Sequence, residues 1–132
     1  MGGGSVLRVV KTDKAPAAIG PYSQGILSNG FLFVSGQLPL NPITGELLDD
    51  FQSATEQTIK NVISVVEAAG GKIEDIVKVT VYIRDMQKFS IFNEVYSKFF
   101  SEHKPARAVV EVSNLPKNAI LEIEAIARIS NS

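Results

Sequence analysis

Three side chains in the C-terminal third of the chain could do chemistry together: Arg107, directly after Pro105-Ala106, and the pair Glu122 and Glu124. An arginine presents a planar fork of donors that grips a carboxylate through two parallel hydrogen bonds, and it stays charged at any workable pH. That suits it to anchor an acid substrate. A glutamate at a half-buried site can orient a water and accept its proton, more readily when burial raises its pKa. Spacing alone equally permits an Arg–Glu ion pair across two strands, at a sheet edge or a subunit interface. Other positions carry the same two-sidedness. Tyr22, in Gly20-Pro21-Tyr22-Ser23-Gln24, is a hydrogen-bonding lid or an aromatic packed under a loop. Asn93 addresses a ligand or faces solvent. In Ser35-Gly36-Gln37 the glycine permits close backbone approach or a bulge.

Much other chemistry is excluded by composition. The 132 residues include no cysteine and one histidine, His103, so thiolate metal sites, disulfides and cysteine nucleophiles are absent, and a metal centre has no ligand set. His103, beside Lys104 near a helix end, reads as a surface residue. No serine sits in a nucleophile-elbow sequence. Gly70-Gly71 follows a helical pattern instead of opening one, and so reads as a helix stop and not a phosphate loop. Thirteen basic residues against fourteen acidic give a net charge of -1, which offers no field for a polyphosphate backbone, so no nucleic acid partner is expected. No apolar run approaches the length needed to cross a bilayer and no signal segment is evident, so a soluble, cytoplasmic protein without membrane contact is expected. The glycine-rich opening 1–5 reads as a flexible leader, followed by one domain over 6–132.

The elements that must position these residues follow from periodicity. Residues 6–11 form a short strand, then a proline-bounded loop over 15–21. Asn29-Gly30, between possible strands at 23–28 and 31–35, signals a tight hairpin. Pro39, Pro42 and Gly45 break the ladder that follows. Helical spacing runs from 50 to 69, with Ser53-Ala54-Thr55-Glu56 resembling a capping box. Residues 76–84 alternate, with Val77, Val79, Val81 and Ile83 on the core face. A second helix over 87–101 carries Phe89, Phe92, Tyr96 and Phe99 as its buried stripe. Strands at 107–112 and 120–129 close an α+β fold. In the last strand Leu121, Ile123, Ala125 and Ala127 face the helices while Glu122, Glu124, Ile126 and Arg128 face away. Two helices cover only one side of such a sheet, and the mixed apolar and charged character of the other side points to a homo-oligomer.

Several segments together resemble the Rid family, the YjgF-type reactive-intermediate (enamine/imine) deaminases: residues 15–24, 33–37, 57–61 and 92–96, then Pro105-Ala106-Arg107-Ala108-Val109-Val110-Glu111-Val112, Leu115-Pro116 and Leu121-Glu122-Ile123-Glu124-Ala125-Ile126-Ala127. The resemblance covers nearly the whole chain from Val6 onward. It implies a chorismate-mutase-like fold, a mixed sheet packed on two helices, assembled as a homotrimer whose sheets form a barrel. It implies three clefts between subunits, where the carboxylate of a small 2-imino or enamine acid meets Arg107, helped by the backbone around Val109. Glu122 would hold or activate the water that attacks the imine carbon; Tyr22, Ser35 and Asn93 would line the cleft, and Gly36 would let backbone approach it. No cofactor is implied. The expected reaction converts imines such as 2-iminopropanoate or 2-iminobutanoate, formed from enamines such as 2-aminoacrylate, to 2-oxo acids and ammonia. Val109 stands where the best-studied deaminases carry a cysteine, so thiol behaviour does not transfer. Two other classes fit the same residues: a regulatory trimer that binds a small carboxylic acid without turnover, and a ribonuclease or translation inhibitor. Near-neutral charge and the lack of a basic stripe with stacking aromatics speak against the last.

Overall fold

The computed structural model describes residues 7–129; the opening 1–5, Val6 of the predicted first strand and residues 130–132 lie outside them. The predicted hairpin is present. Asn29 (φ 54°) and Gly30 (φ 82°) both take positive φ, as a two-residue turn matched to the right-handed twist of its strands demands. It joins β2 (Gly25–Ser28) to β3 (Phe31–Gln37), while β1 (Leu7–Val10) pairs antiparallel with β2. β2 starts later than the predicted residue 23 because Gln24 turns inward. Its amide nitrogen donates to the carbonyls of Thr12, Ala15 and Pro16, and its oxygen accepts from the Thr12 N–H, clamping the proline-bounded loop.

α1 (Phe51–Ala68) is capped one turn before the predicted capping box: the Asp50 carboxylate accepts from the Ser53 N–H at 3.1 Å. Ser53 therefore lies inside the first turn, where its amide is the donor to be satisfied. Gly70, at φ 91°, ends the helix as expected. β4 (Ile76–Ile83) keeps the predicted alternation from Val79 onward. A register shift against β6 between Ile76 and Lys78, however, turns Ile76 into the core and leaves Val77 42% exposed. A one-residue bulge inverts the parity of what precedes it. α2 (Phe89–Phe99) follows a 3₁₀ turn at Met86–Lys88 and buries Phe92, Val95 and Tyr96. Phe89 and Phe99 sit only half-buried at the margins of the predicted stripe. His103 is not a free surface residue either: its ring Nε2 lies 2.6 Å from the Ile76 carbonyl oxygen, half-buried.

β5 (Ala106–Glu111) returns parallel to β4, a pairing reached through the α2 crossover. β6 (Leu121–Arg128) inserts between β3 and β4, antiparallel to both, giving the order β1-β2-β3-β6-β4-β5. This is the mixed sheet expected. Both helices lie on one face, over the buried Leu121, Ile123, Ala125 and Ala127, together with Leu32, Val34, Val79 and Val81. The other face carries Phe33, 49% exposed, and Val110, 43% exposed, among Glu122, Glu124 and Arg128.

One buried polar contact ties α1 to the segment after β3. Asn61, wholly buried, donates from Nδ2 to the carbonyls of Leu38 (3.0 Å) and Leu40 (2.9 Å), while its Oδ1 accepts from Gln57 at 2.9 Å. A buried carbonyl left unpaired costs about 1–3 kcal/mol. Asn61→Leu should therefore lower the urea unfolding free energy by about 2 kcal/mol or more, with the denaturant slope unchanged.

Candidate functional site

Strand alternation divides the predicted site residues between two clefts. On the open face, Ile19, Tyr22, Ser35, Gly36, Leu38, Pro116 and Glu122 line a cleft of about 310 Å³. Glu122 reaches it because even-numbered residues of β6 point away from the helices, and because β3 breaks register with β6 between Val34 and Gln37. Both readings of Gly36 apply there: it sits in the irregularity, and the Glu122 side chain lies directly against it. A Cβ at residue 36 would fall 2.8 Å from the Glu122 carboxyl carbon and overlap one of its oxygens. Ser35 lines the cleft with its hydroxyl already donated to the Ser23 carbonyl at 2.6 Å. Tyr22 is 47% exposed at the rim, not packed under its loop.

Burial first, then the charge of Glu124, push the Glu122 carboxyl above its ordinary range. Glu124 shares the face of Glu122 two residues on, and Tyr82 stands opposite Glu122 in register. Tyr82 responds to the same surroundings: partial burial, then the nearby Glu124 and Glu122, raise its phenol pKa.

Arg107 lies elsewhere. In register it sits beside Val79, which in turn pairs with Ala125; both neighbours are buried under the helices, so Arg107 points to the helix side. Its Nη1 donates to Asn93 Oδ1 at 2.9 Å. Its guanidinium carbon lies 4.8 Å from the ring centre of Tyr96, 5.6 Å from that of Phe89 and 5.8 Å from that of Phe92. Among the described residues it forms no ion pair; the one present joins Lys60 to Glu56. The cross-strand Arg–Glu pair is thus not formed within a chain. Beside Arg107 opens a cleft of about 440 Å³, lined also by Asn93, Tyr96, Ser97, Phe100, Lys104 and Pro105. Asn93 faces this cleft and holds the arginine. Val109 lines neither cleft; its side chain packs half-buried on the core. Another groove, of about 640 Å³ and lined by residues that include Val10, Thr12, Tyr22 and Gln24, contains neither Arg107 nor Glu122.

Within one chain the structure therefore groups Tyr22, Ser35, Gly36 and Glu122, groups Asn93 with Arg107, and separates the two groups by the thickness of the sheet. Sequence reasoning passed over Gln24 and Lys104. Gln24 carried no signal in its spacing, since it precedes β2 and shares the parity of Ile26 and Ser28, not of the buried Gly25 and Leu27. Lys104 carried none beyond its closeness to Arg107. Tyr96 is more than the plain core residue its spacing predicts, because its hydroxyl is buried with no hydrogen-bond partner among the described residues; burial raises its pKa, opposed by the Arg107 charge.

A mixed six-stranded sheet with two helices on one face defines an α+β protein. The chain belongs to the Endoribonuclease L-PSP family, also known as the YjgF or Rid family, whose model matches residues 12–129. It is 51% identical over 120 residues to a RutC family protein of Pyrococcus horikoshii, covering 90% of this chain and 95% of that one. It is 48% identical over 123 residues to the 2-iminobutanoate/2-iminopropanoate deaminase of Escherichia coli K12, covering 91% and 96%. Among solved structures it resembles Escherichia coli TdcF with bound serine, at 46% identity and a TM-score of 0.90, covering 93% and 99%.

The closeness of Gly36 to Glu122 can be probed directly. Gly36→Ala should keep the thermal midpoint within a few degrees of wild type, because no positive φ is required there, while forcing the Glu122 carboxylate out of its place; a ligand-bound crystal structure would show the displacement. Because its folded pKa is raised, Glu122 stabilises the fold only while neutral, and that contribution is lost as pH rises through the folded value. Glu122→Gln should therefore melt at a higher temperature than wild type at pH 8. The difference should vanish below about pH 4, where both side chains are neutral; scanning calorimetry across pH reads it directly.

Proposed function

We propose that this protein hydrolyses small 2-imino acids to 2-oxo acids and ammonia, in clefts completed by two copies of the chain. The observation that carries this reading is the state of Arg107: ordered by Asn93 and three aromatic rings, beside an open cleft, with no carboxylate of its own chain to neutralise it among the described residues. Such a guanidinium suits an incoming acid group. The neighbouring copy would bring Glu122 across, since no single chain can present both residues on one side of its sheet. A homotrimer, as the resemblance implies, would contain three such clefts.

In this arrangement Arg107 fixes the substrate carboxylate and so places the adjacent C=N carbon. Glu122 takes a proton from water as the oxygen adds to the carbon of the protonated imine, giving a neutral carbinolamine. The protonated Glu122 returns that proton to nitrogen; the C–N bond then breaks and ammonia leaves, while the C=O bond forms as the hydroxyl proton passes back to Glu122 and on to the departing ammonia. A carboxyl with a raised pKa is suited to both halves of that exchange. Imines hydrolyse unaided, so positioning and one general base supply sufficient acceleration. No step calls for a cofactor. The named activity of the Escherichia coli relative at 48% identity supports the reaction class.

The serine bound in the TdcF structure favours a second reading, a small-acid sensor without turnover. The endoribonuclease description of the family finds no support in a net charge of -1, which gives a polyphosphate chain nothing to neutralise against.

Imines generated in situ by an amino-acid oxidase test the assignment. Wild-type protein should accelerate 2-oxo acid formation, and Arg107→Ala should cut kcat/KM by about a hundredfold or more while keeping the fold. Turnover at the spontaneous rate, or an unchanged Arg107→Ala variant, rejects the reading. Mixed assemblies of Arg107→Ala and Glu122→Gln chains should regain part of the activity that each lacks alone. Failure to do so rejects the shared cleft.

A further inference from the structure

We infer that Lys104 makes the Arg107 cleft a site for acids bearing two negative groups, so that the favoured imines carry a second carboxylate on their side chain. This rests on the function proposed above and specifies its substrate class. Of the residues lining the cleft of about 440 Å³, only Lys104 and Arg107 carry charge, and both are cationic. Neither is paired with a carboxylate among the described residues. Asn93 has committed its oxygen to Arg107, which leaves its amide N–H groups as donors, and Ser97 adds a hydroxyl. The lining that this chain supplies is thus rich in donors and short of acceptors. With the neighbouring copy's Glu122 committed to the attacking water, a monocarboxylate satisfies one of the two cations and a dianion satisfies both.

The spacing is held from both sides. The His103 ring is pinned to the Ile76 carbonyl oxygen at 2.6 Å, Pro105 restricts Lys104 to extended backbone, and Arg107 is fixed through Asn93 at 2.9 Å. Both side chains line the one cleft, so a four-carbon diacid, whose carboxyl carbons lie roughly 4 Å apart, offers one acid group to each cation. On this reading His103 and Pro105 hold the segment that carries the second cation.

Calorimetry on the purified full-length assembly, titrated with unreactive succinate and propionate, tests this without requiring turnover. Wild type should bind succinate about tenfold more tightly, with a preference that weakens in high salt. Lys104→Ala should lose that preference and Lys104→Arg should keep it. In the oxidase-coupled assay, the kcat/KM ratio of aspartate-derived over alanine-derived imine should fall about tenfold in Lys104→Ala and hold in Lys104→Arg. Equal affinity for the two acids in wild type, or a preference that survives in Lys104→Ala, overturns the inference. A Lys104-dependent succinate preference with no acceleration of either imine sustains the inference as a binding specificity and sinks the deaminase reading. Binding of neither acid overturns the inference, while the deaminase reading stands or falls on the turnover assay.

Discussion

The alternation of side chains along β6 is the constraint from which the rest of the molecule follows. With β3 on one side and β4 on the other, this strand cannot slip without moving Leu121, Ile123, Ala125 and Ala127 out of the core, and those residues are almost wholly buried. The same register that seals the core projects Glu122 and Glu124 from the opposite face. The acid group is therefore placed by hydrophobic packing behind it, not by polar contacts around it. Its local accommodation is negative in kind: an absent side chain at Gly36, which leaves the carboxyl room beside β3.

Arg107 is positioned by a different physics. Cation–π contact with Phe89, Phe92 and Tyr96 attracts the guanidinium without removing its charge. The one hydrogen bond to Asn93 uses only part of its five-donor fork. An ion pair would have ordered the side chain equally well but would have neutralised it. Because Phe89, Phe92, Asn93 and Tyr96 recur at helical spacing along α2, one helix both caps the core and holds the cation. The unpartnered Tyr96 hydroxyl is a cost of placing an aromatic ring where packing and the guanidinium both want one.

The fold was largely legible in the residues, and the reasons are local. Asn29-Gly30 admits almost one conformation between two strands, Gly70 stops a helix, and the parity of β6 is unbroken over eight residues. The misreadings fall where two local signals compete. Asp50 and Ser53 are both residue types that cap helices, and the earlier one does so; Val77 fits alternation in the sequence, but a bulge, invisible in composition, reverses it. The site was legible as residue types and not as an arrangement. Parity already put Glu122 on a definite face of its strand, away from the helices. That Arg107 takes the opposite face depends on β6 entering between β3 and β4 and on β5 running parallel to β4, which no local pattern encodes. His103 is a strut and not a surface residue because its partner is a backbone carbonyl twenty-seven positions away.

The sheet that keeps Arg107 and Glu122 apart would, under the proposed function, also govern when the molecule acts. Chemistry that needs both groups on one small molecule would be closed to a solitary chain, so competence would obey mass action in the protein's own concentration. Freshly made chains would be silent until they met, and dilution alone would serve as an off state, with no inhibitor, modification or moving part.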